Sequence, residues 1–144
     1  TGVDRSPEAL ALARENGRRT GLTVRWVEGV WCQPVQGQQF DLVVSNPPYL
    51  TTAEVVEADP SVRCWEPAAA LDGGADGLDC YRALFATVPA VLAPHGVLVM
   101  EIDARRGAET AYQAREAGWT AVTITQDLFG RDRYLSARRE AVHD

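Results

Sequence analysis

The chain has 144 residues, 46% of them hydrophobic, and a formal net charge of −6. That size suits one globular domain. No apolar run approaches the roughly 20 residues a membrane-spanning helix needs, and the acidic balance disfavours a nucleic-acid partner, whose polyphosphate backbone calls for a basic surface. Cys32, Cys64 and Cys80 are odd in number and lack metal-ligand spacing, so neither a disulfide framework nor a metal site is expected. The opening TGVDRSPEAL carries neither a basic leader with an apolar block nor a small-residue cleavage site, which predicts a cytoplasmic location.

Short β-branched runs alternate with helical segments along the chain, the pattern of βα units around a mostly parallel sheet. TGVD reads as the tail of a strand. Ser6-Pro7-Glu8 then opens a helix with a hydroxyl at the N-cap, proline at the first helical position and an acid in the first turn, and the helix continues through ALALARENGRR. LTVRWVEG is the next strand. QQFDLVVS follows, and its continuous apolar centre predicts a strand covered on both faces. The segment from there to Ala70 is read as irregular, and DGLDCYRALFATVPAVL as a long helix whose Leu78, Tyr81 and Leu84 form a core stripe. Pro94-His95-Gly96 turns into the strand HGVLVMEID, RRGAETAYQAREAG is a helix stopped by Gly118, and WTAVTITQD with RYLSARR forms a hairpin around Gly130.

The stretch Ser45-Asn46-Pro47-Pro48-Tyr49 stands directly behind the apolar run FDLVV. Ligands of open α/β sheets bind beyond the carboxyl ends of strands, so this is where a site is expected. Two prolines stiffen the loop and push Asn46 towards extended conformations. Pro47 and Pro48 offer carbonyls without N–H groups, and Asn46 adds a side-chain carbonyl. Such a pair of acceptors matches the two N–H donors of a primary amide or an exocyclic amine. Tyr49 offers a flat face for stacking on a planar group, or a plug for the core.

Asn-Pro-Pro-Tyr after an apolar strand resembles the signature of S-adenosylmethionine-dependent methyltransferases that act on planar nitrogen groups. GVDRSPEALALARENG, QGQQFDLVVSNPPYL, VRCWEPAAALDGGADGLDCYRALF, LAPHGVLVMEID and DLFGRDRYLSARR together resemble the release-factor glutamine N5-methyltransferases (HemK/PrmC type) over nearly the whole chain. The resemblance implies an α/β fold: a Rossmann-like class I methyltransferase sheet, mostly parallel, with a C-terminal antiparallel hairpin. It implies a single, partial catalytic domain over residues 1–144, acting as a monomer. The implied reaction is methyl transfer from S-adenosylmethionine to the side-chain amide nitrogen of a glutamine in a peptide chain release factor. By the same resemblance Asn46, Pro47 and Tyr49 carry the chemistry, and Pro48 and Glu66 join them in holding the substrate. Asp4 would hold the cofactor ribose, with Val30, Trp31 and Asn46 also lining the cofactor site.

The resemblance also sets out departures. In this fold a first strand and a glycine-rich loop precede the piece corresponding to TGVD, and Gly73-Gly74 and Gly77 follow a loop instead of a strand, so they are no substitute. The expectation is a chain truncated at its amino terminus, with a gap in the sheet between the strands ending at Asp4 and Val44 and poor cofactor affinity in isolation. Val30 stands where relatives commonly have an acid near the adenine amino group; Glu28 or a backbone carbonyl is the replacement, and Trp31 either flanks the adenine or simply packs. EIDARR departs from the glycine and glutamine usual near Asp103 and Arg106. Against the site roles stand plainer ones: Asp4 on the neighbouring helix amino terminus, Glu66 as a loop brace, Arg131 and Arg133 as solvated turn residues. His95 in a turn and His143 in a terminal tail receive no catalytic role. The competing functions are an adenine N6-methyltransferase on DNA or RNA, which presents the same two donors, and an inactive remnant.

Overall fold

The computed structural model describes residues 1–139, so His143 lies outside the described residues. Strand β1 (Gly2–Asp4) leads into helix α1 (Pro7–Thr20), whose start follows the local chemistry of its sequence. Ser6 is extended, its hydroxyl accepts the Ala9 N–H, and Gly21 closes the helix at φ 69° with its N–H on the Arg18 carbonyl. Strand β2 (Trp26–Glu28) pairs parallel with β1, setting Asp4 opposite Glu28. The strand is shorter than LTVRWVEG suggests.

Strand β3 (Phe40–Ser45) begins a second, four-stranded sheet. Short helices α2 (Thr52–Glu57) and α3 (Pro60–Arg63) follow, then α4 (Asp79–Thr87), β4 (Leu92–Glu101), α5 (Gly107–Glu116), β5 (Thr120–Gln126) and β6 (Asp132–Arg138). The order is β3-β4-β6-β5, parallel between β3 and β4 and antiparallel on either side of β6. Among the described residues no ladder joins β1 to β3.

Helices α4 and α5 cover one face of this sheet. Leu78, Tyr81 and Leu84, the stripe read from the sequence, are 0%, 0% and 3% exposed, and they meet Leu98 and Met100 of β4, Leu135 of β6 and Ala111 and Ala114 of α5. Each fully buried leucine of this kind contributes about 1.5–3 kcal/mol. Trp119 is buried in the same cluster and donates its indole N–H to the Phe85 carbonyl at 3.2 Å.

Three expectations need correction. Strand β3 is not covered on both faces: Val43 packs on the core, but Leu42 and Val44 are 56% and 69% exposed on the other side. Helix α4 stops early, because Pro89 has no N–H to continue the ladder and the chain tightens to a 3-10 turn over Val88–Ala90. The segment up to Ala70 is not irregular throughout. Thr51 and Glu54 form a reciprocal capping box that starts α2, and Pro60 starts α3 behind an Asp59 cap. In β4, His95 adopts φ 66°, and the four residues 93–96 stand against Asp41 alone in β3.

Candidate active site at the carboxyl edge of the sheet

Parallel pairing puts the ends of β3 and β4 on one edge, so Asn46 emerges beside Glu101 instead of inside the core. Asn46 is exposed, and among the described residues no hydrogen bond engages its side chain or the Pro47 carbonyl. Two oxygen acceptors adjacent in sequence thus carry no internal hydrogen bond, on a backbone that two prolines stiffen. Pro47 is buried, while Pro48 and Tyr49 are half-buried.

The loop is held by the glycine block that the sequence only excluded as a cofactor loop. Leu50 pairs with Asp72 in a parallel bridge, with Leu50 N–H on the Leu71 carbonyl at 3.0 Å and Gly73 N–H on the Leu50 carbonyl at 2.7 Å. Thr52 adds its backbone N–H to the Gly74 carbonyl and its hydroxyl to Asp72, at 3.0 and 2.9 Å. A Cβ at Gly73 would stand 2.9 Å from both the Pro48 oxygen and the Tyr49 Cα. At Gly77, where φ is 77°, it would stand 2.5 Å from the Tyr49 oxygen. Only glycine lets these backbones approach.

Tyr49 packs against the core and donates its hydroxyl to Glu101 Oε1 at 3.3 Å. Burial, then the charge and hydrogen bond of Glu101, push its phenol above the ordinary value. Glu101 also faces Arg133 at 3.5 Å, and Arg133 reaches Asp127 at 3.3 Å. Arg133 therefore departs from the solvated role expected of it: its side chain is 22% exposed and carries two ion pairs, whereas that of Arg131 is 56% exposed. EIDARR gains a physical account as well. The Asp103 side chain, 6% exposed, accepts from the backbone, Nε and Nη2 of Arg105 and contacts Arg106. Arg106 in turn grips Glu54 at 2.9 and 3.0 Å, tying the start of α5 to α2. The Thr51 N–H foremost, and then the two arginines, hold the Glu54 carboxyl down at about 2. Glu54, Glu101 and the two glycines were missed as site residues; the T-x-x-E spacing of Thr51 and Glu54 was the one readable signal.

Asp4 and Glu28 end the first sheet as neighbouring exposed carboxylates. Asp4 Oδ1 accepts the Ser6 N–H at 2.8 Å, the plainer role read for it, and no described residue engages its second oxygen. Two carboxylates at parallel strand ends are a donor-seeking pair that fits a ribose diol. Val30 is 40% exposed; Trp31 is half-buried against the core at φ 50°, a backbone conformation uncommon outside glycine. Glu66 is exposed, with no described side-chain contact to the SNPPY loop. Among the described residues no group of three or more His, Cys, Asp or Glu is arranged for a metal, and the three cysteines are free thiols. A depression of about 470 Å³ lies between α4 and α5, bounded by Arg82, Phe85, Pro89, Gln113 and Glu116, away from the strand ends.

Residues 1–59 match the methyltransferase small domain family. A methyltransferase from Pyrococcus furiosus superposes with a TM-score of 0.69 at 17% identity, over 96% of this chain and 61% of its own. A release-factor-specific protein-(glutamine-N5) methyltransferase from Alicyclobacillus acidocaldarius gives 0.53 at 25% identity, over 96% and 78%. The fold is that of the class I methyltransferases. In sequence, the release factor glutamine methyltransferase of Deinococcus radiodurans is 49% identical over 139 residues, 96% of this chain and 49% of the relative. The chain spans about half the length of the curated relatives it matches, which are release factor glutamine methyltransferases.

Proposed function

We propose that the protein transfers a methyl group to the side-chain amide nitrogen of a glutamine in a peptide chain release factor, with residues 1–139 forming part of the catalytic domain. The observation that carries this reading is the acceptor pair of the Asn46 side chain and the Pro47 carbonyl, both without a hydrogen-bond partner at the carboxyl edge of β3. An amide nitrogen is a weak nucleophile because its lone pair is delocalised into the carbonyl. Accepting both N–H bonds at Asn46 Oδ1 and the Pro47 oxygen orients that nitrogen and favours the positive charge it develops. Tyr49, fixed by Glu101, presents its ring to the planar amide. No strong base is needed, since the methylated nitrogen is acidic enough to release its proton to water.

S-adenosylmethionine, when bound, supplies an electrophilic methyl group on a sulfonium. Asp4 and Glu28 would hold its ribose, and Val30 and Trp31 would border its adenine. Pro48 shapes the loop, and Glu66 would reach the acceptor from the α3 side. Transfer of tritiated methyl from S-adenosylmethionine to a release-factor glutamine by the full-length protein tests the reading. Asn46→Ala is expected to lower the rate constant by on the order of 100-fold or more, as loss of a preorganised charge-stabilising group does elsewhere. Labelling confined to DNA or RNA would overturn the assignment.

A further inference from the structure

The turn between β5 and β6 is built in an unusual way for something that packs against nothing. Leu128 and Phe129 at its tip are 101% and 82% exposed. Isolated exposed leucines are ordinary, but these two are held rigidly outward. Asp127 accepts the backbone N–H groups of Phe129 and Arg131 on one oxygen, at 2.8 and 3.1 Å. Its own N–H donates to the Arg131 carbonyl at 2.8 Å, and Gly130, at φ 76°, donates to the Asp127 carbonyl at 3.0 Å. The Arg131 guanidinium lies 5.2 Å from the Phe129 ring centroid and restrains it. Presenting two large apolar groups on a stiff turn lowers the entropy lost when a partner covers them.

The turn is also wired to the SNPPY loop. Asp127 Oδ2 faces Arg133, Arg133 faces Glu101, and Glu101 accepts the Tyr49 hydroxyl. Register agrees, for Glu101 at the end of β4 pairs with Tyr134, two residues after β6 begins. The turn therefore stands on the edge where Asn46 emerges. A glutamine side chain is short, so the backbone that carries it must lie across this edge.

Resting on the function proposed above, we infer that Leu128 and Phe129 are a docking element for the folded methyl-acceptor protein, seated in an apolar hollow beside its glutamine. The turn then contributes to recognition of the intact protein and nothing to recognition of an isolated glutamine.

The test compares the full-length protein with its Leu128→Ser/Phe129→Ser variant, using intact release factor and a short synthetic peptide around its glutamine. The expected result is a ratio of protein KM to peptide KM that rises about ten-fold or more, the scale set by burial of two apolar side chains. An unmoved ratio overturns the inference. Hydroxyl-radical footprinting supplies a second readout: Phe129 is expected to be labelled in the free full-length protein and protected by added release factor. Protection already present in the free protein would assign the turn to another part of the same chain, and protection that follows its own concentration would assign it to a second copy; either overturns the inference. If the unsubstituted protein transfers no methyl to the release factor, the proposed function falls and this inference with it. Transfer with an unmoved ratio removes the docking role alone.

Discussion

Replacing Gly77 by alanine asks whether the glycine block buttresses the SNPPY loop. At φ 77° any Cβ carries a strain of about 1–2 kcal/mol. Here the new carbon would also stand 2.5 Å from the Tyr49 carbonyl oxygen, a backbone atom unable to swing aside as a side chain does. Displacing a packed neighbour adds about 1–3 kcal/mol. Gly37 is a matched control, with φ 79° and nothing within 4 Å of its hypothetical Cβ, so Gly37→Ala meets the strain alone. Urea unfolding of the full-length variants is expected to show Gly77→Ala destabilised by about 1–3 kcal/mol more than Gly37→Ala. Methyl transfer should fall in the first and stay near the parent rate in the second. Equal losses from both substitutions would refute the buttress.

Tyr81→Phe is expected to destabilise by about 1–3 kcal/mol, because the buried Asp103 N–H loses the hydroxyl oxygen that accepts it at 3.2 Å; chemical denaturation measures this. Leu98→Ala, at a fully buried position, should lower stability by about 2–5 kcal/mol in the same assay. The pH dependence has a definite sign. Glu54 sits at about 2, below its ordinary 4.5, and Asp127 at about 2, below 3.8, because backbone N–H groups of Arg131 and Phe129 and the Arg131 guanidinium outweigh its burial. Both groups therefore contribute stability that is complete above about pH 5 and is lost as pH falls from there towards 2. A melting temperature that stays level across that window would contradict these pairings, and Glu54→Gln should make the decline shallower.

Much of the fold was legible because local chemistry and tertiary structure agree. Ser6-Pro7-Glu8 capped α1 as read, and the stripe Leu78, Tyr81, Leu84 became the core. Gly118 ended α5, and the final hairpin formed around Gly130. Composition could not reveal what covers a strand: the run in β3 reads as doubly buried, yet Leu42 and Val44 are exposed on the face opposite Val43 and the α4–α5 core. Helix-like apolar spacing ran on through Pro89, where the missing N–H ended it.

Of the site, the position of SNPPY was readable, since a motif that follows an apolar strand lands on a carboxyl edge. Its supports were not. Gly73 and Gly77 matter because an added Cβ would stand 2.9 and 2.5 Å from a loop more than twenty residues earlier, and spacing along the chain does not encode such contacts. The same holds for Glu101, Arg133 and Asp127, and for Asp103 and Glu54 with their arginines. The comparison with relatives matches the resemblance carried by the motif and its long following block, while the individual roles of Asp4, Val30, Trp31, Asn46 and Glu66 are proposals.

The most direct measurement is the position of a glutamine amide in a crystal of the full-length protein with an acceptor peptide and S-adenosylhomocysteine. The nitrogen should lie about 2.7–3.2 Å from both Asn46 Oδ1 and the Pro47 oxygen, with the Tyr49 ring against the amide plane. An amide nitrogen seated elsewhere, with either acceptor turned away or bonded to the protein itself, would contradict the mechanism.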